Sequence, residues 1–212
     1  TGFLIGMGAG VNVRVAHGLG AGNQKETEET IHSSFLICLV TGLIICAVGL
    51  TSSRMFLALL HTKDELMEGA VNYLQIYSLG MPAMGLYNFG NGVMSARGDT
   101  KRPLVYLLIA GVLNVIMNLI FVIGFHMAAE GVAIASVMAQ YTSAGLVLHH
   151  LWRRRDVCRL QLRKVRFHRM AGKAVLMLGI PGGLQQAIFA IANLFVQAGV
   201  NSFDAVTVSG NA

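Results

Sequence analysis

Four uncharged polar side chains stand where their neighbours are apolar. Asn114 and Asn118 lie midway along the run 104–127, and Ser136 and Gln140 lie in the run 131–152. Each pair is four residues apart, so on a helix each pair shares one face. Only a short loop around Ala129 and Glu130 separates the two runs. They must fold back as an antiparallel hairpin, which brings both pairs to comparable depth. Amides and hydroxyls donate and accept hydrogen bonds but do not titrate near neutral pH. Such a group can line a cavity and bind a cation or a polar substrate. It can also simply join two helices, at about 0.6–2 kcal/mol per contact. Four polar residues at matched depth favour the cavity.

A longer polar stripe runs along the last apolar segment, 170–202. Gln186, Asn193, Gln197 and Asn201 recur at intervals of seven, four and four, with Gln185 adjacent. A helix touching lipid on all sides would not carry it. It faces a water-filled cavity or packs on helices outside this sequence. Tyr87, Asn88 and Asn91 repeat the pattern in a weaker form and are assigned to the same cavity lining. Pro181 is expected to break the last helix, as discontinuous helices do at transporter sites.

No catalytic arrangement accompanies these residues. There is no GxSxG, no HExxH, no P-loop and no paired carboxylate at membrane depth. The chain does not read as an enzyme, and no cofactor is expected. Cys38, Cys46 and Cys158 form neither a CxxC nor a Cys/His cluster, so neither a metal centre nor a disulfide framework is indicated. His126, His149 and His150 fall at segment ends, where interfacial solvation explains them. The eleven methionines are expected in the core or against lipid.

The elements that position these groups follow from composition. Of 212 residues, 54% are hydrophobic and only 12% charged. A soluble domain carries about 25% charged residues. With several apolar runs of membrane length, the chain reads as an all-α, polytopic transmembrane helical bundle. Six segments are expected, at about 1–19, 33–60, 70–94, 104–127, 131–152 and 170–202. Gly2, Gly6 and Gly10 recur every four residues, a small-residue face that lets helices approach closely. A polar loop is expected over 20–29, and Pro82 should kink the third segment.

The turn 95–103, Ser-Ala-Arg-Gly-Asp-Thr-Lys-Arg-Pro, joins the third and fourth segments. Gly98 can end one helix, Asp99 or Thr100 can cap the next, and Pro103 fits its first turn. The formal net charge is +6, and most of the basic residues lie between Arg153 and Lys173. That block has no interleaved aromatics of the kind single-strand binders use, so nucleic acid is not an expected partner. Loops after the first, third and fifth segments hold most of the Lys and Arg. The positive-inside rule places them in the cytoplasm, with the protein multi-pass in the cell membrane. The chain has no start methionine and begins within an apolar segment, as expected for a piece of a longer protein.

Several motifs in order resemble one family. Gly98-Asp99-Thr100-Lys101-Arg102-Pro103 is similar to the cytoplasmic turn of MATE transporters, the multidrug and toxic compound extrusion family. Gly18-Leu19-Gly20-Ala21-Gly22-Asn23 resembles that family's LGAG-N/D signature. Gly131-Val132-Ala133-Ile134-Ala135-Ser136 resembles the entry to its sixth helix, and Gly179-Ile180-Pro181 with Gln185-Gln186 the start of its seventh. The resemblance covers essentially the whole chain and implies helices two to seven of twelve. Residues 1–169 would then be a partial N-terminal lobe, and 170–212 the first, truncated helix of the C-terminal lobe.

In one branch of the family, an Asn-x-x-x-Asp motif and a Thr on the next helix help bind the coupling cation. Asn114 matches the Asn and Ser136 the Thr, whereas position 118 is Asn and lacks the carboxylate. The resemblance implies Na⁺ or substrate binding at Asn114, Asn118 and Ser136, with no titrating proton carrier at 118. It implies an antiporter, monomeric at full length, exporting amphipathic and often cationic compounds against H⁺ or Na⁺ influx. Two other readings stand beside it. A flippase for lipid-linked sugars would be expected to carry cationic residues within its cavity to hold a diphosphate, and the central segments have almost none. A non-transporting receptor or scaffold would show no gradient dependence.

Overall fold

The glycines at the start of the chain find a partner at its other end. The computed structural model describes residues 1–59 and 64–200, with the side chains of 1–59 and 66–193. Helix α1, Gly2–Gly20, packs along α7, Arg169–Val200. A Cβ added at Gly10 would lie 2.7 Å from the Gly179 nitrogen, and one at Gly6 would run into the Gly183 backbone. Two small-residue faces thus bring the backbones together, where dispersion replaces the missing hydrophobic drive in lipid. The opposite side of α1 meets α4, Met81–Ala96, where a Cβ on Gly92 would lie 2.5 Å from the Gly8 oxygen.

Between them lie α2, Gln24–Leu59, and α3, Asp64–Ser78. Helix α5, Lys101–Leu119, continues as a π-helical turn, Ile120–Gly124, and α6 is Ala129–Arg153. A 3₁₀ turn, Leu162–Lys164, interrupts the link to α7. All regular structure among the described residues is helical. The core gathers Met7 and Val11 of α1, Ile31 of α2, Phe89 and Val93 of α4, and Val147 and Leu151 of α6. Phe35 meets Phe89 edge-on, with ring centres 5.7 Å apart.

Three expectations need correction. The second segment starts at Gln24, not near residue 33, so 24–30 is helix rather than loop. Asn23 explains this: its Oδ1 accepts from the Glu26 N–H at 3.1 Å, and its Nδ2 donates to Glu26 Oε2 at 3.1 Å, a reciprocal cap. The third segment is two helices. The chain breaks at Leu79–Gly80, and Pro82 stands in the first turn of α4, where its missing N–H costs little. Pro181 lies inside α7 without ending it.

The turns follow the sequence closely. Gly22 and Gly98 have φ of 67° and 79°, the left-handed region where glycine carries no Cβ penalty. The residue after each donates five positions back, Asn23 to Gly18 and Asp99 to Met94, each at 3.1 Å. This pattern closes the carbonyl ends of α1 and α4.

Four described helices are long and apolar enough to cross a membrane: α2, α5 with its π turn, α6, and α7 up to Asn193. The six expected segments correspond to α1, α2, the α3–α4 pair, α5, α6 and α7. Helix α5 packs chiefly on α6 and exposes Leu104, Leu107, Leu108, Val112 and Val115, an outward apolar face suited to lipid.

Candidate functional site

The α5–α6 hairpin brings Asn114, Asn118 and Ser136 together. Gly131 lets the two helices close on each other, since a Cβ there would lie 2.9 Å from the Phe121 Cβ. Asn118 Nδ2 donates to Asn114 Oδ1 at 3.1 Å, and Asn114 Nδ2 donates to Ser136 Oγ at 3.4 Å. Ser136 Oγ in turn donates to the Val132 carbonyl at 2.9 Å. The three side chains form a relay whose donors all point one way. Its upstream end is Asn118 Oδ1, which is shielded from solvent and has no hydrogen-bond partner. An orphaned acceptor of this kind costs about 1–3 kcal/mol, which a cation or a ligand N–H or O–H would relieve.

Asn114 Oδ1 accepts one hydrogen bond from Asn118 and keeps a second lone pair, so it can ligate Na⁺ without giving up that bond. Among the described residues no group of three His, Cys, Asp or Glu could hold a metal ion. The π turn begins two residues after Asn118. Such turns often occur at functional sites.

Gln140 is on the same helix but serves another place. Its Oε1 lies against Gly80 at the break between α3 and α4, shielded and without a partner. Any side chain at position 80 would collide with it. The neighbouring Tyr141 hydroxyl donates to the Leu79 carbonyl at 3.1 Å. Helix α6 therefore satisfies a carbonyl that the break would otherwise leave open.

The remaining polar residues fall in three settings. Tyr87 donates from its hydroxyl to the Pro103 carbonyl at 3.1 Å, tying α4 to the first turn of α5. Asn88 is buried and donates to the Met84 carbonyl at 2.9 Å, while Asn91 Oδ1 accepts from Ser95 Oγ at 3.3 Å. Gln185, Gln186 and Asn193 are exposed on α7. The Gln197 side chain and Asn201 lie outside the described residues.

The sequence reading missed a charged clasp on the basic-loop side. Arg97 pairs with Asp156, and Arg154 Nε lies 3.6 Å from the same carboxylate. Asp99 pairs with Arg102 at 3.1 Å and lies 4.0 Å from Arg154. The turn 97–102 thus anchors the loop after α6. Further on, Lys164 pairs with Glu28 at 3.0 Å, the Gln161 N–H donates to His32 Nε2 at 3.2 Å, and the His168 N–H donates to Ser33 Oγ at 3.0 Å. Cys158 and Leu160 are buried beneath this loop, and burial pushes the Cys158 thiol pKa up despite the nearby Arg97 charge. Asp156 is the lone acid in the basic block, the one sequence signal for this contact.

A hairpin joined by a polar relay, inside a bundle with lipid-facing apolar sides, defines a multi-pass helical membrane protein. The chain belongs to the MATE family: the family's model, MatE, matches residues 1–120. It is 23% identical over 211 residues to the probable multidrug resistance protein NorM of Thermotoga maritima, covering 94% of this chain and 45% of that protein. It is 32% identical over 176 residues to the probable multidrug resistance protein YpnP of Bacillus subtilis, covering 82% of this chain and 39% of that protein. The chain spans less than half the length of these curated relatives. Its fold matches a MATE crystal structure in the bent conformation, with TM-score 0.88, 22% identity, and coverage of 98% of this chain and 47% of that one.

Proposed function

We propose that the full-length protein is a secondary active antiporter that exports amphipathic, often cationic compounds in exchange for H⁺ or Na⁺. The observation that carries this reading is the relay Asn118–Asn114–Ser136, which ends in the unpartnered Asn118 Oδ1. That oxygen is an acceptor waiting for a cation or a donor group, where α5 passes into its π turn in a MATE-family chain. Asn118 cannot release a proton near neutral pH, so proton coupling would need a group elsewhere in the full protein.

On this reading, residues 1–169 are part of one lobe and 170–212 open the other. The glycine contact of α1 with α7 is then the surface over which the lobes rock to expose the site to each side in turn. The Lys and Arg of the 97–102 turn and the 153–173 block would hold those loops in the cytoplasm, with the protein in the cell membrane. The test is efflux of a fluorescent cation from cells expressing the full-length protein, with the H⁺ and Na⁺ gradients collapsed separately. Efflux should fail when the coupling gradient is removed. Efflux that ignores both gradients would refute the antiporter reading.

A further inference from the structure

We infer that the groove between α2 and α7 holds an anionic phospholipid, with its phosphate on Arg169 and Lys173. The groove has two parts that share Phe167 and Leu176. One, of about 600 Å³, lies along α7, from Arg169 and Lys173 at one end to Met177 and Ile180 at the other. The second, of about 350 Å³, continues against Leu36, Ile37 and Val40 of α2. Below the two cations the lining side chains of both parts are apolar apart from Thr41.

The depth of the groove in the bilayer follows from two facts. On α2 the last charged residue before the apolar run is Glu29, and the next is Arg54. The hydrocarbon boundary on α2 therefore falls just past Glu29, near Ser33. The His168 N–H donates to Ser33 Oγ at 3.0 Å, so α7 starts at that level. Arg169 and Lys173, one turn apart, then stand at headgroup depth, and Met177 and Ile180 follow at acyl depth.

Charge selects the lipid class. Arg154 faces Asp99 and Asp156, Lys164 faces Glu28, and His168 lies 3.9 Å from Glu29, whereas Arg153, Arg155, Arg159, Arg163 and Arg166 are exposed without a carboxylate but do not line this groove. Among the described residues Arg169 and Lys173 are exposed and have no carboxylate partner. Two unpaired cations above an apolar groove complement a lipid phosphate that carries net negative charge. A zwitterionic headgroup brings its own cation and loses most of that attraction. Phe167, half exposed between the two parts, would lie between the acyl chains.

The test uses the full-length protein in lipid nanodiscs, with Phe167→Trp as the reporter and the Phe167 protein subtracted as background. Brominated phosphatidylglycerol should quench the tryptophan at a mole fraction about tenfold lower than brominated phosphatidylcholine. The double variant Arg169→Gln, Lys173→Gln should bring the two lipids to parity. The exchange Arg169→Lys, Lys173→Arg should keep the preference, which separates lost charge from lost folding. Arg155→Gln with Arg159→Gln removes equal charge away from the groove and should also keep it. Equal quenching by the two lipids in the parent would overturn the proposal. So would no quenching by either, which would mean that protein covers the groove. A preference that survives the Gln pair, or one lost equally with Arg155 and Arg159, would overturn it too.

Discussion

Asn118 Nδ2 donates to Asn114 Oδ1 across 3.1 Å on one face of α5, and the oxygen left over, Asn118 Oδ1, is shielded from solvent with no partner. Gln140 Oε1 at the α3–α4 break is left open in the same way, but of the two only Asn118 Oδ1 ends a chain of linked side chains. Helix pairs joined by amides satisfy both ends, because an unmet acceptor away from water is costly. Each link of the relay donates in the direction of Ser136 and Val132, and its acceptor end is left open. That asymmetry sets the expectations for this site.

Placing aspartate at 118 puts a titratable group at the open end. Cation efflux by full-length Asn118→Asp should rise with pH as the carboxylate ionises, since a negative charge there attracts a cationic ligand. Efflux measured across a pH series, against the parent in the same series, checks this. Parallel profiles would mean that position 118 does not face the transported species.

Packing between α1 and α7 depends on atoms that are absent. Gly6→Ala forces a Cβ into the Gly183 backbone and should destabilise the full-length protein by about 1–3 kcal/mol. Gly111→Ala on α5 meets nothing within 4 Å and should be neutral or gain up to about 1 kcal/mol of helix stability. Thermal unfolding in detergent distinguishes them. Equal losses in the two variants would contradict the close helix contact.

Some of this was legible from spacing alone. Asn114 with Asn118, and Ser136 one hairpin later, could be matched because the pairing is local and follows the helical repeat. The glycine face at Gly2, Gly6 and Gly10 announced a close neighbour. It did not say which, because Gly179 and Gly183 lie 169 and 177 positions beyond Gly10 and Gly6. Gln140 shares the spacing of Ser136 yet turns toward Gly80, because α6 packs on α4 as well as α5. The break at Leu79–Gly80 was read as a kink at Pro82. Proline fits the first turn of a new helix as well as a bend in an old one. The loop clasp was invisible, since Gln161 and His168 reach His32 and Ser33 across more than 120 residues.

The turn at Gly98 has open space around it but a φ of 79°. Gly98→Ala should therefore cost about 1–2 kcal/mol through backbone strain rather than collision. Gly145→Ala, a helical position also open within 4 Å, is the control and should show no loss. The same thermal measurement applies. A Gly98→Ala protein as stable as the parent would contradict the left-handed turn.

Cys158 reports on the loop clasp. It is buried and burial raises its pKa, so little thiolate forms near neutral pH and a maleimide should label it slowly. Asp156→Ala removes the partner of Arg97 and Arg154 and should speed labelling at least severalfold. The rate in both proteins should climb with pH. Cys38, Cys46 and any cysteine in the rest of the full-length protein are replaced by serine so that one thiol is followed. Fast labelling in the parent would show that the loop is not docked.

The most direct test is efflux against membrane expression for Asn114→Ala, Asn118→Ala and Ser136→Ala in the full-length protein. Each should lower efflux by tenfold or more per molecule while the amount of protein in the membrane stays within about twofold of the parent. Efflux that falls only in step with expression would contradict a binding role for the relay, leaving it as a contact that holds α5 to α6.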